Sequence, residues 1–436
     1  MAGSEKQHLV FLVSLGCAKN QVDSERFLGG MELNLLPTTD PAEADLLVIN
    51  TCAFIESAVR ESLDYIFEVN SVRKPGAKLL VMGCLPAREP LTLAEELPEA
   101  DLLVGPEDYP KLPHLIASLL SVKLPSEVLP FESWPRKLGT PPWRAFLKIS
   151  EGCNRRCAYC LIPGLRGPLV VRPMDELLSE AGTLAENGVL ELTLVAQDLT
   201  AWQYRGLDLG DLAAGLAEIK ELRWLRLMYA YPKNLTEKLI GRIAGIDKVV
   251  PYLDLPLQHA SPKILRRMGR PGQPPLKLVE KLRKWWPGVA LRTTLMVGFP
   301  GETEEDFELL ADFVREARFE NLGVFKFEPE DKVRASSFPN RVPLRSQKKR
   351  EAEILGLQKA ISREINGQRV GREFDVLTEG ASPDSPLVMT GRTVFQAPEV
   401  DGLTYFDGEQ PDSGRIVRAT VVKVQAYDLA VSLAEL

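Results

Sequence analysis

Cys153-Asn154-Arg155-Arg156-Cys157-Ala158-Tyr159-Cys160 places three cysteines in one short loop, spaced x3 and then x2. Three thiolates at that spacing can hold three irons of a 4Fe-4S cluster and leave the fourth iron without a protein ligand. A cluster that only carries electrons is usually held by four cysteines. An open iron is therefore a coordination site, as the open position is in catalytic zinc proteins. Half of a zinc knuckle is the alternative reading, disfavoured because no fourth Cys or His lies nearby to close a tetrahedral site. Ala145–Ile149, immediately before the loop, reads as a strand.

Outward from that loop, apolar runs at Leu190–Val195, Leu225–Tyr229, Val249–Leu253, Leu291–Val297 and Leu322–Phe327 read as further strands, with amphipathic segments between them. Together with Ala145–Ile149 they make six, which suits a partial (β/α)6 barrel with the cysteine loop at its C-terminal mouth, where barrel active sites lie. Val297-Gly298-Phe299-Pro300-Gly301-Glu302-Thr303 is a strand end, a tight turn and a helix start, and Thr303 with Asp306 forms a capping box. Gly298 and Gly301 would also allow close backbone approach to a bound nucleoside. Gln197 and Asp198 fall at the end of the second barrel strand, and Asp254, Gln258 and His259 at the end of the fourth. All are candidate contacts, with His259 read as a hydrogen-bonding wall residue rather than a general base. The run Lys263, Arg266, Arg267 and Arg270 reads as a solvated helix face unless an anionic partner is found.

The remaining cysteines are Cys17, Cys52 and Cys84, which follow strand-like runs at Leu9–Leu15, Leu46–Asn50 and Leu79–Met82. Helical patterns at Gln21–Leu35 and Phe54–Val69 fill the gaps, so the segment reads β-α-β-α-β with an open parallel sheet. Ligands in such sheets collect beyond the carboxyl ends of the strands. Three cysteines just past three strand ends then converge on one spot, against the alternative of three unrelated buried thiols.

Length and composition set the frame. At 436 residues the chain has room for about three domains. We divide it into an N-terminal domain (1–125), a Pro-rich linker (126–142), the barrel (143–335), a helical connector (336–368, its helix at about Ser346–Gln368) and a small all-β module (369–436). The last contains apolar runs at Ile416–Val424 and Leu429–Leu433. No run approaches the roughly 18 apolar residues of a membrane span. The apolar stretch 9–15 follows a single basic residue, Lys6, and lacks a cleavage site, so a secretory signal is not expected. Six cysteines without such a signal point to a reducing, cytoplasmic setting and to ligation rather than disulfides. The net charge is −7. Residues 371–436 carry five basic and eleven acidic side chains, an anionic module that would repel RNA and attract a basic protein.

The cysteine loop, with Glu151-Gly152 before it and Leu161-Ile162-Pro163-Gly164-Leu165-Arg166-Gly167 after it, closely resembles the radical S-adenosylmethionine enzymes. The whole chain resembles the methylthiotransferases of that superfamily, with a C-terminal domain of the TRAM type. The resemblance implies that the open iron at Cys153, Cys157 and Cys160 chelates S-adenosylmethionine, that Tyr159 packs beside the adenine, and that Gln197 and Asp198 stand where a Gly-Gly-Glu often binds the cofactor's amino group. It implies a second 4Fe-4S cluster on Cys17, Cys52 and Cys84, an external electron donor and a sulfur donor. The implied chemistry uses S-adenosylmethionine twice, once to methylate sulfur and once to generate a radical that takes hydrogen from an unactivated carbon.

Family members modify either adenosine in transfer RNA or an aspartate of a small-subunit ribosomal protein. Gln396-Ala397-Pro398-Glu399-Val400-Asp401-Gly402 and Ala196-Gln197-Asp198 resemble the ribosomal-protein branch, and the acidic module agrees. The expected activity is methylthiolation of the β-carbon of an aspartate in the twelfth small-subunit ribosomal protein, free or in the small subunit. The rivals are a transfer-RNA methylthiotransferase and a non-catalytic iron–sulfur protein that binds ribosomes or RNA.

Overall fold

A computed structural model describes residues 7–30, 35–88, 90–124, 129–330, 332–382 and 384–434. The chain divides into two compact units. The first comprises Met1–Gly139, Glu151–Arg155 and Leu161–Val170; the second comprises Thr140–Ser150, Arg156–Cys160 and Val171–Leu436.

The first unit is built on five strands, β1 (His8–Ser14), β2 (Leu35–Pro37), β3 (Leu46–Thr51), β4 (Lys78–Gly83) and β5 (Leu102–Val104). Their order is β2-β1-β3-β4-β5 and every pairing is parallel, the flavodoxin-like arrangement. β3 is buried along its whole length and β4 nearly so, which is why both read as unbroken apolar runs rather than alternating ones. The helix expected at Gln21–Leu35 instead spans Ala18–Gly29. It starts directly after Cys17 and ends at Gly29-Gly30, where Trp134 packs so closely that a Cβ on Gly30 would lie 2.0 Å from its ring. Leu35 begins β2 instead; residues 31–34 lie outside those described. The second expected helix forms at Glu56–Ser71.

The Pro-rich stretch is not a bare linker. Residues 126–128 lie outside those described, but Phe131 and Trp134 are buried with Phe27, Tyr109 and Ile116 in the core of the first sheet. Phe131 stacks between Tyr109 and Trp134 at centroid distances of 5.0 and 5.3 Å. Arg136 pairs with the buried Glu25, which also accepts from the backbone N–H of Gly139 at 3.1 Å. Burying two large aromatic rings outweighs the chain-breaking character of the prolines.

In the second unit six parallel strands lie in sequence order: Arg144–Lys148, Glu191–Val195, Trp224–Leu227, Val249–Asp254, Ala290–Val297 and Asn321–Lys326. The intervening helices include Met174–Glu186, Leu209–Ala217, Glu237–Ala244, Pro275–Trp285 and Glu304–Ala317, giving the expected partial barrel. The connector helix runs Leu344–Gly367, starting just after Pro343. Beyond it, Glu373–Ser382, Ser385–Thr393, Thr404–Phe406, Ile416–Val424 and Leu429–Leu433 close into a small β-barrel.

This β-module docks on the beginnings of the barrel strands. Glu191, first residue of its strand, is fully enclosed between Arg226 (2.7 Å) and Arg392. Burial opposes its charge, but the Arg392 and Arg226 guanidiniums hold its carboxyl down at about 2. Asp401 accepts from Tyr252 Oη at 2.7 Å and pairs with Arg292 at 3.2 Å, and Glu399 pairs with Arg144 at 3.1 Å. The stretch Gln396–Gly402, read from sequence as a branch marker, is thus a structural staple. Gln396 Oε1 accepts from Thr393 and Thr404 inside it.

Candidate functional site

In the first unit, Cys17, Cys52 and Cys84 follow β1, β3 and β4, the three adjacent inner strands. Gly16 turns the chain at φ +94°, and its α-carbon faces Cys52 so closely that an added Cβ would lie 2.6 Å from Cys52 Cβ and 3.0 Å from its sulfur. Cys52 is anchored by Ser62, whose hydroxyl accepts from Cys52 N–H at 3.2 Å and donates to its carbonyl at 2.9 Å. Cys84 opens the short helix Cys84–Arg88, held by Leu85 N–H donating to Thr51 Oγ1 at 3.2 Å.

Two polar side chains organise this spot. Asn20 donates to the carbonyls of Leu15 (3.1 Å) and Thr51 (2.9 Å), tying the ends of β1 and β3. Arg166 is buried, and its Nε donates to Cys84 Sγ at 3.4 Å. Its remaining nitrogens reach Asp23 (2.9 Å), Glu151 (3.1 Å) and Asn20. The thiols respond differently to these surroundings. Burial works against a Cys17 thiolate, but Lys19, Arg166 and backbone hydrogen bonds outweigh it and its pKa is lowered. Burial pushes Cys52 up to about 11, and the charges of Cys84 and Cys17 add to the rise. Cys84 is also raised, again chiefly by burial, with Arg166 opposing.

Three thiols at neighbouring strand ends that feel one another's charge, beside a fixed guanidinium, suit an anionic iron–sulfur cluster. Its ligands must be thiolates, so metal binding releases their protons. Among the described residues no group of three or more His, Cys, Asp and Glu is already arranged to hold a metal ion.

Cys153 also belongs to the first unit. Its N–H donates to Gly167 O at 3.1 Å, and its sulfur accepts from Arg155 N–H at 3.4 Å. Asn154 Oδ1 accepts from Leu169 N–H at 3.0 Å, closing the turn that carries Cys153.

Cys157 and Cys160 belong to the second unit, both half-buried. Between them Ala158 is pinned on both sides: its N–H donates to Met268 O and its carbonyl accepts from Ala335 N–H, each at 2.9 Å. Tyr159 packs on a core of Ile264, Leu265, Met268 and Phe299. Its hydroxyl accepts from Arg270 at 3.0 Å, and burial raises its pKa.

Asp198 is buried and accepts from Thr200 Oγ1 at 2.6 Å, while Gln197 beside it is half-buried. Gly298 and Gly301 have φ of +77° and +86°. The close approach at Gly298 is to Gln347 of the connector helix, 2.4 Å from where a Cβ would stand; at Gly301 it is to Arg267. The Thr303–Asp306 capping box forms as expected. Asp254 lies 3.6 Å from Arg292, and Gln258 adopts φ +71°.

His259 is fully buried and its Nδ1 accepts from Ser261 N–H at 2.9 Å, which places the proton of the neutral ring on Nε2. Burial depresses its pKa to about 3, so it stays neutral. Nearby Glu302 is pushed up to about 7 by burial, despite Arg350 at 2.8 Å and two backbone N–H donors.

The basic run does not behave as one solvated face. Lys263 pairs with Asp306 at 2.6 Å, Arg267 donates to Pro300 O at 3.0 Å, and Arg270 turns inward to Tyr159. Sequence reasoning missed Asn20, Asp23, Arg166 and Arg270 as site residues. The first two lie three and six residues after Cys17, on the buried face of the helix Ala18–Gly29, and that proximity was the available signal. Among the described residues no helix is long and apolar enough to cross a membrane.

Comparisons with known proteins bear on the domains and the family. Residues 147–314 match the Radical SAM superfamily, residues 370–433 the TRAM domain, and residues 9–105 the uncharacterized protein family UPF0004. Among solved structures, the radical S-adenosylmethionine methyltransferase TsrM from Kitasatospora setae matches with a TM-score of 0.58 at 16% identity, over 76% of this chain and 77% of that one. The cobalamin-dependent radical enzyme OxsB matches with a TM-score of 0.51 at 14% identity, over 82% of this chain and 56% of that one. Fold and cysteine loop together define a radical S-adenosylmethionine protein.

Curated relatives narrow the class. The ribosomal protein uS12 methylthiotransferase RimO of Anaeromyxobacter sp. (strain Fw109-5) is 43% identical, over 96% of this chain and 92% of its own. That of Moorella thermoacetica is 42% identical, over 98% and 99%. The chain belongs to the RimO family of ribosomal protein uS12 methylthiotransferases.

Proposed function

We propose that this protein transfers a methylthio group to the β-carbon of an aspartate in ribosomal protein uS12. The observation that carries the reading is identity above 40% to RimO relatives along nearly the whole chain. When bound, two 4Fe-4S clusters and S-adenosylmethionine supply the one-electron and sulfur-transfer chemistry, drawing on external electron and sulfur donors. Cys153, Cys157 and Cys160 would hold one cluster, which would bind the cofactor and supply the electron for its cleavage. Tyr159, Gln197 and Asp198 would line the cofactor, and Gly298 and Gly301, whose α-carbons face Gln347 and Arg267, would act by shaping the turn beside it. Cys17, Cys52 and Cys84 hold the second cluster, with Arg166 offsetting its negative charge. The chain's own contribution is to place these groups and to keep water away from them.

Surface charge supports a protein substrate. Of the five cations in residues 371–436, Arg392 is buried and paired, Arg415 pairs with Asp412 and Arg418 with Glu373 and Asp375. Six of the eleven acidic groups, Glu373, Asp375, Glu379, Glu399, Asp401 and Asp412, are likewise ion-paired, so it is the net excess of acid over base in this module that favours a basic protein over phosphates. Mass analysis of uS12 and of transfer-RNA nucleosides from a strain lacking this gene tests the reading. Loss of the methylthio mark from uS12, restored by the gene, is expected; loss from transfer RNA instead would overturn it.

A further inference from the structure

Beside Tyr159 the second unit contains a cavity of about 240 Å³, lined by Tyr231, Lys233, Leu257, Arg270, Gln273 and Leu278 among others. Tyr231 and Leu257 follow the strands Trp224–Leu227 and Val249–Asp254, so the cavity opens where the barrel's carboxyl ends lead into their loops. That is the end of such barrels where chemistry takes place.

Its polarity is one-sided. Two cations and no acidic residue line it. Among the described residues neither Lys233 nor Arg270 has a carboxylate within ion-pair distance, although most of the buried arginines described above have one. Arg270 is instead held by neutral rings: one nitrogen donates to Tyr159 Oη at 3.0 Å, and its guanidinium carbon lies 4.6 Å from the centroid of Tyr231. A guanidinium fixed in this way keeps further N–H donors free in a fork that matches a carboxylate. Exposed Lys233 adds a second charge at the rim. Leu257, Leu265 and Leu278 give the remainder an apolar wall suited to a short aliphatic stem.

From this we propose that the cavity is a carboxylate site, and that the side-chain carboxylate of the target aspartate occupies it, gripped by Arg270 and Lys233. The inference rests on the function proposed above and deepens it. Fixing the carboxylate fixes the adjacent β-carbon, the atom to be modified. Tyr159 immediately precedes Cys160, so the carboxylate's anchor is tied through one hydrogen bond to the cysteine loop. Arg270 and Lys233 are here substrate-binding residues that set specificity for Asp.

The test uses reconstituted full-length protein and purified uS12, either natural or with the target aspartate changed to asparagine. Wild type is compared with Lys233→Gln, Arg270→Gln and Arg270→Lys for methylthiolation, for 5′-deoxyadenosine formed per product, and for S-adenosylmethionine affinity by equilibrium dialysis. Each Gln variant should lose about tenfold to a hundredfold in kcat/KM on natural uS12. Discrimination between the aspartate and asparagine substrates should shrink in parallel, more 5′-deoxyadenosine should form per product, and Arg270→Lys should recover part of the loss. Cofactor affinity should hold in Lys233→Gln, which leaves the Arg270–Tyr159 hydrogen bond in place.

Cofactor affinity falling about tenfold with substrate discrimination intact would overturn the proposal, because the carboxylate served would then be that of S-adenosylmethionine. So would Gln variants that match wild type. Lys233 is exposed, so its variant keeps the test open if Arg270→Gln fails to fold. Wild-type protein that leaves uS12 unmodified while cleaving S-adenosylmethionine would sink the proposed function, and this inference with it.

Discussion

Cys153, Cys157 and Cys160 are neighbours in the chain, whereas Cys17, Cys52 and Cys84 are neighbours only because β1, β3 and β4 lie side by side. The loop set is half-buried and is positioned mainly by backbone hydrogen bonds such as those at Ala158. The strand-end set is wrapped in side chains: Asn20, Ser62 and above all the buried Arg166. The first set is kept together by its spacing in the chain and pinned by backbone hydrogen bonds, while the second depends on the order of the whole sheet and on side chains. Substitutions remote from any cysteine should therefore damage the strand-end set and spare the loop set.

The largest contrast lies in the ligands themselves. Cys157→Ala should reduce 5′-deoxyadenosine formation to background. Cys52→Ala should leave that reaction running and abolish only the methylthio product, as chromatography of both products will show. If Cys52→Ala also stopped cofactor cleavage, the two sets would not be separable.

Arg166→Ala comes next. It removes the cation shared by Cys84, Asp23 and Glu151, and breaking a buried pair of this kind costs about 3–5 kcal/mol. Chemical denaturation of the apo chain should show that loss. Arg166→Lys should restore charge but not the full fork of contacts.

Gly16→Ala is smaller. The added Cβ would meet Cys52 at 2.6 Å in a backbone at φ +94°, a strain of about 1–3 kcal/mol. Gly164→Ala, whose new Cβ meets nothing within 4 Å, should stay within about 0.5 kcal/mol. Equal destabilisation by the two would contradict the contrast.

Glu191 is remote from both cysteine sets, so its replacement should change neither, and what it changes is the response of stability to pH. Its folded pKa of about 2 lies below its ordinary 4.5, so its contribution is complete above about 4.5 and is lost as pH falls toward 2. Thermal unfolding followed across that window should be less pH-dependent in Glu191→Gln than in wild type, with no change in the slope between pH 5 and 8.

Much of this contrast was legible in the sequence. The apolar runs that were read as strands fall within a residue or two of strands in both parallel sheets, because strands buried on both faces leave a continuous signal, whereas the short β2 and β5 were not foreseen. The strand-end cysteines could be expected to converge once the sheet was read as parallel. What pattern reading missed were contacts between distant residues. Phe131 and Trp134 carry no periodic signal, so the Pro-rich stretch looked like a linker although it completes a core. Asp401 and Glu399 lie in the stretch that resembles the ribosomal-protein branch, which the relatives bear out, but its structural part was hidden because their partners Arg292 and Arg144 lie more than 100 residues away. Arg270 looked like one of a run of solvated cations; only the fold turns it toward Tyr159.

Iron and acid-labile sulfide in the anaerobically reconstituted chain test the two-set account most directly, in wild type and in Cys17→Ala/Cys52→Ala/Cys84→Ala. The account predicts about eight irons falling to about four, with cofactor cleavage retained. About four irons in both proteins would contradict it, because the strand-end cysteines would then hold no cluster.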